Sequence, residues 1–265
     1  MSAEISLAER PMTESVIEDL AARFAGLTPL ERLRALRRSV DGPIVFTTSL
    51  GLEDQAITHL IFANDLGVDV VTLDTGRLFP ETYAVWAETE ERYGRRISPV
   101  YPRHDALETL IAEQGINGFY TSVDARKACC GVRKVEPLER ALRGAAAWVT
   151  GVRADQSVHR ESLAFVSWDA RHGLIKANPL FDWTRDAVKA FVAEHDIPVS
   201  ALHARGFLSI GCAPCTRAVQ PGEPERAGRW WWEDEAKKEC GLHVGPDGRL
   251  VRTPPAGAGA GDFAS

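Results

Sequence analysis

Apolar residues recur at two different spacings in the first 150 residues, and these spacings predict alternating helices and strands. Between residues 13 and 25 they repeat every three or four positions, which predicts an amphipathic helix, and residues 29–39 predict a second one. After the turn-forming Asp41-Gly42-Pro43, short unbroken apolar runs are typical of buried strands. The predicted strands lie at 44–46, 68–73, 97–101 and 145–150, with one helix between the first two and another over 80–92.

Strands that alternate with helices predict an α/β fold, in which a mostly parallel sheet carries helices on both faces. Ligands of such sheets bind beyond the carboxyl ends of the strands, where the segments 47–53, 74–76 and 151–153 lie. The first segment is rich in Thr, Ser and Gly, and small residues let backbone N–H groups approach a phosphate. The three segments together predict a nucleotide site. For each segment alone, the alternative is an ordinary turn with a hydroxyl side chain capping a helix.

The composition is that of an ordinary globular protein. The chain has 265 residues, 45% hydrophobic and 26% charged, with a formal net charge of −6. These values exclude a mostly disordered chain, a collagen-like chain and a disulfide scaffold. No apolar run approaches the ~18 residues of a membrane span, and the polar N-terminus is unlike a secretory signal. We therefore expect a cytoplasmic protein with reduced cysteines and with neither a membrane nor a nucleic-acid partner.

Four of the five cysteines form two close pairs, Cys129-Cys130 and the CxxC motif of Cys212 and Cys215. One interpretation is structural zinc, although zinc usually takes each pair of ligands from a C-x2–4-C turn. A second is a redox dithiol at the CxxC motif, which leaves the first pair without a role. A third is an iron–sulfur cluster, because its irons lie at separate corners and both kinds of pair can reach them. The basic residues near the pairs either balance thiolate charge or form a solvated face; they are Lys127, Arg133, Lys134 and Arg217.

The fifth cysteine, Cys240, stands apart in the segment WWWEDEAKKECGLH. Arg226 and Arg229 precede it, and His243 follows it. Cationic neighbours stabilise a thiolate, which is the nucleophilic form of cysteine. Cys240 is therefore a candidate nucleophile, and the alternative is an incidental surface cysteine. The three tryptophans Trp230–Trp232 are interpreted as packing anchors.

Seven motifs in order resemble those of one known family. They are SLGLEDQ, LDTGRLFPETY, KACCGVRKVEPL, TGVRADQS, NPLFDWT, GCAPC and WWWEDEAKKECGLH, and they span about residues 40–243. This set is similar to the assimilatory adenylyl-sulfate (APS) and phosphoadenylyl-sulfate (PAPS) reductases, most of all to the bacterial iron–sulfur, thioredoxin-dependent branch. The resemblance implies an adenine nucleotide alpha-hydrolase-like fold with a modified PP-loop. The loop reads SLGLED rather than the SGGxDS-like pattern of ATP pyrophosphatases, which argues against ATP cleavage.

The resemblance also implies roles for individual residues. It implies one 4Fe–4S cluster per subunit, bound by Cys129, Cys130, Cys212 and Cys215. It makes Cys240 the nucleophile, with Lys134, Arg226, Arg229 and His243 as basic groups around the phosphosulfate. The implied substrate-binding residues are Thr48, Gly51, Glu53 and Asp54 in the phosphate loop, Asp74, Thr75 and Gly76 after a strand, and Gly151 and Arg160 in a further segment.

The implied activity is reduction of APS to sulfite and AMP by reduced thioredoxin or glutaredoxin, through a thiosulfonate on Cys240. This reaction belongs to assimilatory sulfate reduction and cysteine biosynthesis. The alternatives are a PAPS reductase, a PP-loop ATP pyrophosphatase and a zinc-stabilised nucleotide-binding module, and assembly into a homo-oligomer stays open. We expect N-terminal helices packed on the core over 1–40, a catalytic domain over 41–243 and a flexible tail over 244–265.

Overall fold

A six-stranded sheet lies at the centre of the chain in the computed structural model, which describes residues 10–156 and 164–233. The strands are β1 (Ile44–Thr48), β2 (Asp69–Leu73), β3 (Ser98–Val100), β4 (Ala147–Val149), β5 (Val166–Asp169) and β6 (Leu174–Ala177). Their order is β3-β2-β1-β4-β6-β5. Neighbours pair in parallel except β5, which is antiparallel to β6. The predicted α/β class is therefore confirmed, and the β5–β6 hairpin adds an edge that the sequence pattern did not predict.

The helices connect these strands and cover the sheet. They are α1 (Arg10–Phe24), α2 (Pro29–Ser39), α3 (Leu52–Ala63), α4 (Pro80–Tyr93), α5 (His104–Gln114), α6 (Val123–Cys130), α7 (Glu136–Ala141) and α8 (Arg185–Glu194). Among residues 10–156 and 164–233, no helix combines the length and the apolar character that a membrane crossing requires. The tail expected over 244–265 lies outside the described residues.

The apolar cores lie on the two faces of the sheet. On one face, α1, α2, α3 and α8 pack together, and the N-terminal helices contribute Leu20, Phe24 and Leu33 to the same core as Phe46 of β1. On the other face, Leu138 and Leu142, in and just after α7, pack against the sheet. Burial on both faces explains why the central strands β1 and β4 consist mainly of apolar residues.

The direction of the strand order changes at β1. From β1 the chain crosses through α3 to β2 on one side, while β4 pairs with the other side of β1. Such a change of direction leaves a crevice outside the carboxyl ends of the strands, where α/β proteins bind ligands.

Candidate active site

The turn from β1 into α3 is tighter than the loop predicted at 47–53, because only Ser49–Gly51 connect strand and helix. Ser49 donates hydrogen bonds from its N and its Oγ to Oδ2 of Asp54, both at 2.6 Å. Leu50 has a left-handed backbone with φ of 60°, and its N donates to Oγ1 of Thr48 at 3.0 Å. These bonds hold the loop around the N-terminus of α3. The N-cap residue of this helix is Gly51, which provides no side-chain cap.

A cavity of about 200 Å³ lies beside this loop, between the ends of β1, β2 and β4. The predicted substrate-binding residues that line it are Thr48, Gly51, Glu53, Asp54, Thr75 and Gly151. Three of the predicted basic groups, Lys134, Arg226 and Arg229, line it too. The structure therefore brings the phosphate loop, two further strand ends and the cationic side chains to one crevice, hereafter the nucleotide cavity.

Asp74 and Gly76 do not line the nucleotide cavity; they shape the turn after β2. Oδ1 of Asp74 accepts hydrogen bonds from Gly76 N at 2.8 Å and from the Tyr83 hydroxyl at 2.9 Å. Burial, and then the bond to Asp74, raise the pKa of Tyr83 to about 12. Gly76 has a φ of 69°, a conformation that favours glycine. This turn holds Thr75 at the cavity wall, and direct substrate contact by Asp74 and Gly76 stays a prediction.

Gly151 allows the end of β4 to pack directly against the first turn of α3. A Cβ atom at this position would lie 2.1 Å from Oδ1 of Asp54 and 3.3 Å from Cβ of Glu53. The first distance is far below a van der Waals contact, so a side chain here would displace the carboxylate that holds the loop. The close approach of these two segments thus explains why residue 151 is a glycine.

The four paired cysteines line a second, smaller cavity of about 20 Å³, hereafter the cysteine cavity. Cys129 and Cys130 end α6, while Cys212 precedes a 3₁₀ turn and Cys215 is its last residue. The helix does not stop at Cys130 but continues through a π turn at Gly131–Val135 into α7. Turns of this kind are frequent at functional sites. Within the described part of the chain, no three His, Cys, Asp or Glu side chains form a group suited to a metal ion.

Hydrogen bonds tie the CxxC segment to the turn after β2. Ala213 N donates to the carbonyl of Arg77 at 2.8 Å, and Oγ1 of Thr75 lies 3.2 Å from Sγ of Cys212. Nη1 of Arg133, from the π turn, donates to the carbonyl of Thr75 at 2.5 Å. Thr75 therefore contacts both cysteine-bearing segments while it lines the nucleotide cavity.

The thiols differ in their electrostatic surroundings. Burial raises the pKa of Cys215 to about 12, and the neighbouring Cys212 adds to this rise. Burial also raises the pKa of Cys129. Burial alone would raise the pKa of Cys212 as well, but Lys134, the bond to Thr75 and two arginines outweigh it and lower that pKa. The cationic surroundings thus favour the thiolate form at Cys212, whereas burial disfavours it at Cys129 and Cys215.

The two cavities share a wall made of Lys134, Arg229 and Trp230. The guanidinium of Arg229 lies 4.8 Å from the centroid of the buried Trp230 ring, a cation–π contact. It also lies so close to Gly211 that a Cβ there would be 2.3 Å from Nη2. An anion in the nucleotide cavity would therefore meet cations that also face the cysteines.

Two buried charge networks could not be predicted from the sequence. Arg126 forms a bidentate ion pair with Glu233 at 2.9 and 2.7 Å, with side chains 1% and 4% exposed. Arg153 is fully buried and donates from Nε to Oε1 of Glu53 at 2.8 Å. No pattern in the sequence distinguishes these arginines from exposed ones, because their partners lie about 100 residues away along the chain.

Several predicted residues lie elsewhere. Arg160, Cys240 and His243 fall outside the described residues, so their predicted roles stay predictions. Lys127 is exposed and does not line the cysteine cavity. Arg217 forms a bidentate pair with Glu223 at 2.7 and 2.8 Å, away from both cavities.

The fold and the cavity at the switch point define an adenine nucleotide alpha-hydrolase-like α/β protein. Residues 43–218 match the family model of the phosphoadenosine phosphosulfate reductase domain, and the chain belongs to this family. It is 57% identical over 226 residues to an adenosine 5'-phosphosulfate reductase of Sinorhizobium fredii, covering 85% of this chain and 86% of the relative. It is 52% identical over 214 residues to the enzyme of that name from Allochromatium vinosum, covering 81% and 83%. The solved PAPS reductase of Candida auris, a phosphate complex, has a TM-score of 0.66 at 26% identity, covering 83% of this chain and all of that one.

Proposed function

We propose that the chain reduces adenylyl sulfate to sulfite and AMP with electrons from a dithiol protein of the thioredoxin type. The observation that carries the proposal is the wall shared by the two cavities, where Lys134 and Arg229 line both the nucleotide cavity and the cavity of the four cysteines. The names of the curated relatives support APS as the substrate. The need for reduced cysteines fits a cytoplasmic enzyme.

In this proposal, the described residues bind the anionic end of the substrate. The N-terminus of α3 offers backbone N–H groups to the phosphate, while those of Ser49 and Leu50 bond to Asp54 and Thr48 and fix the shape of the loop. Lys134, Arg226 and Arg229 balance the negative charge that grows on the phosphate when its bond to the sulfonate breaks. The thiolate of Cys240 attacks the sulfur, the S–O bond breaks, and AMP leaves with the bonding electron pair.

The enzyme then carries an S-sulfonate on Cys240. A thiolate of the reduced donor attacks the Cys240 sulfur, and sulfite leaves with the electron pair of the S–S bond. The second donor thiol resolves the mixed disulfide, which returns Cys240 to its thiol form and leaves the donor as a disulfide. The two electrons that reduce the sulfonate come from the donor, so the scheme requires no other reductant.

The four paired cysteines fit a 4Fe–4S cluster as the group that they hold. They line one small cavity, and cationic side chains around it offset the charge of thiolate ligands. Such a cluster would be held by one thiolate from each of the four cysteines and would not need three side chains around one ion. When bound, the cluster would supply order to both cysteine segments and a local electric field. Replacing Cys129 by Ser should therefore lose iron and activity together, and activity that survives without iron would contradict this role.

The test is sulfite release by anaerobically purified protein with reduced thioredoxin, with APS and PAPS compared side by side. We expect release that strongly favours APS, and a sulfite-sized mass added to Cys240 when APS is given without thioredoxin. Cys240→Ser should abolish both. Release mainly from PAPS would overturn the substrate but keep the chemistry. Full turnover by Cys240→Ser, or no release from either substrate with iron present, would overturn the proposal.

The cationic wall has its own test. Arg229→Ala should lower kcat/KM for APS by about 10- to 150-fold, because a hydrogen bond to a charged group is lost. Arg217→Ala is the matched control, since Arg217 pairs with Glu223 away from both cavities. Equal losses in the two variants would contradict a specific role for the shared wall.

A further inference from the structure

One short segment carries both arginines that line the nucleotide cavity, Arg226 and Arg229. It consists of two successive turns over residues 224–229, hereafter the arginine turn. Ala227 N donates to the carbonyl of Pro224, and Arg229 N donates to the carbonyl of Arg226, both at 2.9 Å. The arginine turn lies outside the helices and strands of the described chain. Its position therefore depends on the contacts that anchor it.

The first anchor holds the arginine turn to the segment around the CxxC motif. Glu223, just before the turn, forms the bidentate pair with Arg217, and Arg217 N donates to the carbonyl of Gly228 at 3.0 Å. A Cβ on Gly228 would lie 2.2 Å from the carbonyl oxygen of Arg217, so the two backbones are in direct contact. Trp230 N, directly after the turn, donates to the carbonyl of Cys215 at 3.2 Å. These contacts fix the arginine turn relative to the cysteines.

Glu225 forms the second anchor, which reaches the sheet. Its Oε2 pairs with Nη2 of Arg153 at 3.0 Å, and its Oε1 pairs with Nη1 of Arg185 at 3.1 Å. Arg153 lies four residues after the end of β4, and Arg185 is the first residue of α8. The Glu225 side chain is 15% exposed and that of Arg153 is fully buried, so water and salt screen this pair little.

Arg153 extends the second anchor to the phosphate loop. Its Nε donates to Oε1 of Glu53 at 2.8 Å, in the first turn of α3. The next residue, Asp54, accepts the two hydrogen bonds from Ser49 that shape the loop. A continuous chain of side-chain contacts therefore runs from Glu225 through Arg153 to the N-terminus of α3, where the phosphate is proposed to bind.

The charge of Glu225 strengthens this anchor. Burial and the nearby Glu53 raise the pKa of Glu225, whereas Arg153 and Arg185 act in the opposite direction and favour the carboxylate. Hydrogen bonds between ionised groups are roughly twice as strong as neutral ones. A glutamine of the same shape would therefore hold the arginine turn less firmly than the carboxylate does.

We propose that Glu225 is a positioning residue that sets Arg226 and Arg229 at the distance from the phosphate loop at which both can bind the phosphosulfate. The inference rests on the proposed function for the role of the two arginines. Glu225 touches no reacting atom in this scheme; it acts through the arginine turn, whose next residue is Arg226. A displacement of about 1 Å in a group that positions a substrate can lower the rate about 100-fold.

The test compares Glu225→Gln with Glu223→Gln as the matched control. Both variants remove one negative charge beside the same turn, but Glu223 pairs with Arg217 away from both cavities. The backbone contacts of Arg217 and Trp230 keep the first anchor in the control. Glu225→Gln should lower both the affinity for AMP in titration calorimetry and kcat/KM for APS by about tenfold or more. Glu223→Gln should stay within about twofold of wild type in both assays.

A double-mutant cycle separates positioning from a general loss of stability. Glu225→Gln combined with Arg226→Ala should lose less than the product of the two single losses, because both changes act on one group. Multiplied losses, equal losses in Glu223→Gln, or unchanged AMP affinity in Glu225→Gln would overturn the assignment. Thermal unfolding and iron content show whether each variant is folded.

Glu225→Asp keeps the charge but shortens the side chain, and it decides the question if Glu225→Gln does not fold. It should lower AMP affinity in the same direction, and wild-type affinity in this variant would then overturn the assignment. AMP binding does not depend on turnover. Absence of sulfite release by the wild type would therefore overturn the proposed function alone, while an unchanged AMP affinity would overturn the anchor alone.

Discussion

Gly211→Ala tests whether the geometry of the shared wall governs activity. The added Cβ would lie 2.3 Å from Nη2, 2.5 Å from Cζ and 2.8 Å from Nη1 of Arg229. Because carbon contacts are favourable only near 3.5–4.0 Å, the guanidinium must move by about 1 Å. That movement disturbs its contact with Trp230 and shifts it from the place that we propose for binding the phosphosulfate.

The expected loss follows from one charge-assisted hydrogen bond. Such a bond is worth about 1.5–3 kcal/mol, so kcat/KM for APS should fall by about 10- to 150-fold. Overpacking should also lower the free energy of unfolding by about 1–3 kcal/mol. Sulfite release under anaerobic conditions measures the first effect, and urea unfolding measures the second.

Gly131→Ala is the matched control, because Gly131 adjoins Cys130 as Gly211 adjoins Cys212. A Cβ on Gly131 meets nothing within 4 Å, so this variant should keep wild-type activity. The double variant Gly211→Ala/Arg229→Ala should be no worse than Arg229→Ala alone, since both act on one group. Activity of Gly211→Ala within twofold of wild type, or an equal loss in Gly131→Ala, would refute the reasoning.

Three further predictions concern packing and charge. Gly151→Ala should weaken AMP binding by about tenfold or more, because its Cβ would displace the carboxylate that holds the phosphate loop; unchanged affinity in calorimetry would contradict this. Glu233→Gln should lower the free energy of unfolding by about 3–5 kcal/mol, because it strands the buried charge of Arg126. The double variant with Arg126→Leu should recover much of that loss in urea unfolding, and an additive loss would contradict a buried pair. Asp182 has a lowered pKa because Arg32 donates to it, so its stabilisation is present above the carboxyl's unfolded pKa and lost as pH falls through the folded one. Asp182→Asn should thus be less stable than wild type at neutral pH, with the difference vanishing in acid; a difference that is constant with pH would contradict the pairing.

The elements of the fold could be predicted because parallel strands covered on both faces are short apolar runs. The predicted phosphate loop was too long at its start because Thr47 and Thr48 are β-branched and stay in β1. The β5–β6 hairpin escaped prediction because each strand has only four residues, and the apolar–polar alternation of Val166–Asp169 is too short to distinguish a strand from a loop. Residue type and spacing therefore identify covered strands better than edge strands.

The two cysteine pairs could be predicted to lie in one site because an adjacent pair and a CxxC pair in the same chain are typical of cysteines that bind a metal centre together. The role of Asp74 inside its own turn, and the burial of Arg153, depend on partners that only the fold brings near. Gly151 was predicted as a nucleotide contact, while its approach to Asp54 is visible only in three dimensions. The candidate site residues could thus be predicted from their residue types, whereas the groups that fix their orientation could not.

The π turn at Gly131–Val135 sets which side chains after Cys130 face the sheet and which face the cavities. In a regular α-helix each residue advances the chain by 1.5 Å and turns it by about 100°. A π turn holds one residue more than the α-helical turn it replaces, so it absorbs that rotation. If the turn closed into a regular α-helix with all its residues kept, Leu138 would rotate away from the sheet and Lys134 would rotate away from the shared wall. The extra residue in the turn thus keeps both side chains in register with the cysteines.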